Sequence, residues 1–80
     1  MIVGEYFKKE LENRFLHTKV GSPTYFQTQL NEEFEGVVKM VEDTKDYIKV
    51  EFAFEDKTFT YKLIKVQGKL FTKISEINFS

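Results

Sequence analysis

The sequence predicts an α+β fold, mainly β: an N-terminal helix followed by a five-stranded antiparallel meander, closing as a curled sheet or a small barrel. Three observations carry this. Val3, Phe7, Leu11 and Phe15 recur every fourth residue, the spacing of one helix face. Ile48, Val50, Phe52 and Phe54 alternate with Lys49, Glu51 and Glu55, and after Glu55-Asp56-Lys57 the alternation resumes as Phe59, Tyr61 and Leu63 against Thr58, Thr60 and Lys62. This is the period-two signature of a β-hairpin with one apolar face. Short polar breaks at Asn31-Glu32-Glu33, Asp43-Thr44-Lys45-Asp46 and Gln67-Gly68-Lys69 separate the remaining strand-length runs.

The elements follow in order within a single domain, residues 1–80, with the helix over 1–18 and antiparallel sheet over 24–79. Tyr6 and Leu16 widen the helical stripe, and Glu5–Lys9, Lys8–Glu12 and Glu10–Arg14 are opposite charges four apart, each contributing ~0.2–0.5 kcal/mol. Gly21 and Pro23 are expected to end the helix. Phe26 and Leu30 alternate with polar residues over Thr24–Leu30, which reads as a modest first strand. Phe34–Glu42 is apolar on both faces, a strand with a bend or bulge near Gly36. In the hairpin the apolar parity switches at Leu63-Ile64, which implies a second bulge. Leu70–Ile74 forms the fifth strand, and Ile77 and Phe79 are expected to tether the carboxyl end to the core.

A chain of 80 residues buries only about 60–65% of its unfolded surface, so every large side chain counts. Four Tyr and nine Phe answer that need, at ~150–250 Å² each. With no cysteine there is neither disulfide framework nor thiolate chemistry. Met1-Ile2-Val3 runs directly into charged residues rather than a signal-peptide core, and no apolar run approaches ~20 residues. The expectation is a soluble cytoplasmic protein without membrane contact. Residues 1–43 carry 5 basic and 8 acidic side chains, and residues 44–80 carry 7 lysines and 5 acids. That mixture lacks the strongly basic balance of a dedicated nucleic-acid domain.

Residues 34–74 resemble the SH3-like, Tudor-like barrel modules attached to bacterial nucleic-acid enzymes. The likeness rests on Phe34-x-Gly36-x-Val38, Tyr47-Ile48-x-Val50-x-Phe52, Lys57-x-Phe59-x-Tyr61 and Phe71. It covers about half the chain, and the glycine-rich hairpin with which those modules usually begin is missing from Thr24–Glu35. The resemblance implies a non-catalytic module that contacts protein or nucleic acid through its loops and one face, and it brings no catalytic residues.

The side-chain inventory points away from catalysis. His17, the one histidine, sits where a helix would end, and its positive form suits the helix dipole better than a general base with no orienting partner. The acids bracketing the turns do not match the ordered oxygen spacing of a calcium loop, and one His without Cys cannot supply a structural zinc site. Neither a nucleophile elbow nor a phosphate-cradling glycine loop is present. The expectation is a protein that is not an enzyme, with no metal and no cofactor.

Two binding readings follow. In the first, Glu32, Glu33, Glu35, Glu42 and Asp43 form an acidic patch that engages a larger protein. A short, cysteine-free, acidic chain of this kind suits a bacterial or phage regulator, an inhibitor encoded by a mobile element and acting on a nucleic-acid enzyme by filling its basic cleft. In the alternative, Lys39, Lys49, Lys62, Lys69 and Lys73 converge on a sheet face, with Tyr47 or Tyr25 as stacking groups for nucleic acid. Self-association through an uncovered strand edge is a third route.

Overall fold

In the computed structural model, which describes residues 3–79, two helices precede four strands. They are α1 (Val3–Phe15), α2 (Pro23–Phe34), β1 (Val38–Asp43), β2 (Tyr47–Phe54), β3 (Lys57–Val66) and β4 (Leu70–Phe79). The strands form one antiparallel sheet in the order β1-β2-β3-β4. The class is α+β and mainly β, with four strands rather than five.

The first strand expected over Thr24–Leu30 is instead the body of α2. Phe26 and Leu30 are four apart, a spacing that both period two and the helical period satisfy. Phe34 completes the series, and all three are buried. The start of this helix was legible. Ser22, in an extended conformation, accepts a hydrogen bond from the Tyr25 N–H at 3.1 Å, and Pro23 follows in the first turn. Ser at the N-cap with Pro just inside is a helix start, so Pro23 opens the second helix rather than stopping the first.

Residues 1 and 2 of the expected first helix lie outside the described residues. Its far end falls at Phe15, short of residue 18, and His17 adopts a left-handed φ of 65° beyond it. The segment after α1 then joins the sheet. The His17 N–H donates to the Phe71 carbonyl at 2.7 Å, the Phe71 N–H donates to the Thr18 carbonyl at 3.1 Å, and Lys19 bridges Leu70. At the other end of α2, Glu35 (φ 54°) and Gly36 (φ 80°) both take left-handed conformations. The expected bend at Gly36 is thus a helix exit, and the strand begins only at Val38.

The central hairpin has the expected faces. Ile48, Val50, Phe52, Phe59, Tyr61 and Leu63 are buried, whereas Phe54 at the hairpin tip is 42% exposed. Pairing of β2 with β3 is unbroken from Tyr47–Ile64 to Phe54–Lys57. Irregularities fall on the outer strands, where Val41 of β1 and Thr72 and Ile77 of β4 are extra residues in the ladder. The bulge expected at Leu63-Ile64 is not in β3, whose pairing with β2 stays regular through Ile64 on the outer face; the irregularity nearby is Thr72 of β4. Ile77 does not tether the chain end; as a bulge residue it is 46% exposed. The Phe79 side chain lies outside the described residues.

Both helices bury their apolar stripes against one sheet face. Phe26 of α2 sits between Phe15 of α1 and Phe71 of β4, with ring centroids 5.0 and 5.7 Å away. Toward the opposite end of the core, Phe7 packs on Phe34 at 5.4 Å and Phe52 stacks with Phe59 at 5.8 Å. The start of α1 approaches the sheet closely because residue 4 has no side chain. A Cβ on Gly4 would meet Glu76 Oε2 at 2.8 Å and the Phe59 ring at 3.2 Å. The buried Tyr61 hydroxyl donates to the Gly4 carbonyl at 2.8 Å. Burial, with the Glu76 carboxylate adding to it, pushes the Tyr61 hydroxyl above the ordinary tyrosine range.

Candidate binding face

Strand pairing sorts the outward side chains into rows. Directly opposed residues on neighbouring strands share a face, and faces alternate along each strand. One outer row is Glu42–Lys49–Lys62–Ser75, a second is Lys39–Glu51–Thr60, and a third is Tyr47–Ile64–Lys73. The helices lie on the other side, so these rows form the uncovered face.

Lys49 and Lys62 oppose each other directly, an arrangement that is unfavourable by itself. Their neighbours relieve it. Glu42 Oε1 lies 3.4 Å from Lys49 Nζ, and the Lys62 ammonium sits 4.3 Å from the centroid of the Tyr47 ring, in cation–π range. The Tyr47 hydroxyl donates to Glu42 Oε1 at 2.9 Å. That hydrogen bond, helped by both lysines, holds the Glu42 carboxyl below its ordinary range and raises the Tyr47 hydroxyl above its own. Acid removes the carboxylate that ties the cluster together. Four side chains are therefore positioned by one another.

Of the lysines expected to converge, Lys39, Lys49, Lys62 and Lys73 do share this face with Tyr47. Lys69 lies in the β3–β4 turn, where its carbonyl accepts the Val20 N–H at 2.8 Å. Tyr25, on α2, is 57% exposed and belongs to the helical side.

The five acids do not come together as one patch. Glu32 and Glu33 lie in the last turn of α2 and Glu35 caps it, whereas Glu42 and Asp43 are at the far end of β1. Three of them have partners within the molecule. Glu33 pairs with Arg14, Glu42 with Lys49, and Asp43 Oδ1 with Lys65 Nζ at 2.6 Å. Arg14 also pairs with Glu10 at 3.7 Å and lies 5.8 Å from the Phe34 ring, fastening α1 to α2.

Sequence reasoning did not include Ile64 in the face, nor did it find the partners of Glu42. The bulge at Val41 sets Glu42 opposite Lys49, and simple alternation along β1 does not reveal it. Among the described residues, no group of three or more His, Asp or Glu could hold a metal ion, and no helix is long and apolar enough to cross a membrane.

The fold is thus a two-helix layer on a four-stranded antiparallel meander with a polar, pre-ordered outer face. Compared with protein-family models, curated proteins and solved structures, the chain has no significant match.

Proposed function

We propose that this chain is a non-catalytic binding and regulatory protein that engages a larger protein through the uncovered face of its sheet. The observation carrying the proposal is the Glu42–Tyr47–Lys49–Lys62 cluster, whose members hold each other in place. Side chains ordered in advance lose less entropy on binding. Ile64 and Tyr47 supply apolar surface at one end of the face, and the lysines beside them select a partner surface rich in carboxylates. At ~4.8 Å between strands and ~3.3 Å per residue the face measures roughly 20 by 25 Å, which suits a small, reversible interface.

The nucleic-acid reading draws support from the convergence of four lysines on one face. Two features weigh against it. Glu42 and Glu51 lie among those lysines, and Lys62 already covers the Tyr47 ring that would stack on a base. A phosphate backbone favours cations free to replace its counterions.

The test is affinity capture of tagged protein from its own host's lysate, with and without nuclease, in parallel with a Lys49→Glu/Lys62→Glu variant. The expected result is one protein retained after nuclease treatment and lost with the variant. Recovery that vanishes with nuclease would instead establish the nucleic-acid reading. Retention of the same protein by the charge-reversed variant would remove the sheet face from the interface.

A further inference from the structure

The outer edge of β1 carries backbone groups that β2 does not use, and a side chain of α2 satisfies them. The Met40 N–H donates to Gln27 Oε1 at 2.8 Å, and Gln27 Nε2 donates to the Val38 carbonyl at 3.5 Å and to Asn31 Oδ1 at 3.1 Å. One carboxamide therefore occupies a donor and an acceptor two residues apart, the pair that a neighbouring strand would take. A groove of about 310 Å³, lined by Pro23, Thr24, Gln27, Thr28 and Met40, opens at the same place. The opposite edge is treated differently. There the segment after α1 pairs with the start of β4 through a single bridge, Lys19 to Leu70.

We propose that the β1 edge is a strand-pairing site for β1 of a second copy, held closed by the Gln27 amide. The groups that Gln27 covers are those of a peptide backbone, so their natural complement is another strand. The sequence of β1 is compatible with itself in antiparallel order. Pairing about Met40 sets Lys39 of one copy beside the Val41-Glu42 bulge of the other. Lys39 and Glu42 both lie in rows of the uncovered face, so each copy offers the other an opposite charge. Gln27 keeps this site shut, and the native chain is a monomer.

Sedimentation velocity over a concentration series tests the proposal on the wild type, Gln27→Met, Gln27→Ala and Gln27→Met/Met40→Pro. Methionine keeps the length and helix propensity of glutamine while removing its hydrogen bonds, so Gln27→Met guards against simple loss of fold, which circular dichroism checks. The expected result is a monomeric wild type and concentration-dependent dimers for both single variants, with dimerisation at least roughly tenfold tighter, as release of one or two backbone hydrogen bonds implies. Proline at Met40 removes the outward N–H without touching the pairs to β2, and returns the protein to monomer. Folded single variants that stay monomeric, a wild type already paired, or a dimer that survives Met40→Pro would each overturn the proposal.

Discussion

The two faces of the sheet solve opposite problems with the same four strands. On the covered face, the Val38–Phe52–Phe59 and Met40–Val50–Tyr61 rows meet two helices and are almost dry. On the uncovered face, a step of one residue along each strand gives Lys39–Glu51–Thr60 and Glu42–Lys49–Lys62 instead. The first set is held by area removed from water, at about 25 cal/mol per Å². The second is held by hydrogen bonds and ion pairs in contact with solvent, which screens them. Stability therefore resides on the covered side; if recognition resides on the other, as proposed, substitutions on the two sides should separate those properties.

The largest effect is expected from Phe26→Ala, which empties the centre of the Phe15–Phe26–Phe71 group and loses about 3–5 kcal/mol. An 80-residue domain has only ~4–12 kcal/mol to lose, so urea denaturation should show a much lower midpoint, with outright unfolding if the wild type lies at the low end. A stable Phe26→Ala protein would mean that the two helices do not depend on this contact.

The buried hydroxyl of the covered face should reveal itself at high pH. Tyr61 is raised in the folded state relative to an unfolded tyrosine near ~10, so the unfolded chain releases its proton first. The associated stability is complete below that pH and declines above it, toward the higher folded value. Alkaline unfolding followed by tyrosinate absorbance should therefore begin above pH ~10. Tyr61→Phe should remove this component of the pH dependence while leaving the Gly4 carbonyl without its donor.

Ser22→Ala tests how the covering layer is started. Losing the N-cap of α2 should cost ~1 kcal/mol, seen as a drop in Tm of about 4–8 °C for a domain of this size. Lys62→Ala should be the mildest for stability, within about 0.5 kcal/mol, yet it uncovers the Tyr47 ring and weakens partner capture. An NMR titration of that variant should show Glu42 moving up toward its ordinary range, because one of its supporting charges is gone.

How much of this was legible depended on how unambiguous each period was. The helical stripe of α1 and the alternation of β2 and β3 were read correctly because several residues repeat each pattern. Phe26 and Leu30 were misread because two residues four apart fit a strand and a helix equally, and Pro23, which with Ser22 breaks the tie, was assigned to the end of the preceding helix. Convergence of four lysines with Tyr47 followed from alternation alone. The dispersal of the five acids could not, since it depends on β1 separating the end of α2 from Glu42 and Asp43 by the length of the sheet.

By itself the sequence determined the α+β class, the central hairpin and the aromatic core, because those rest on local periodicity and the drive to bury Phe and Tyr. Tertiary structure decided the bulges at Val41, Thr72 and Ile77, the partners of Glu42, and the closing of the β1 edge by Gln27. Each of these joins residues whose proximity depends on register or on how a helix lies against a strand, and no local pattern encodes that.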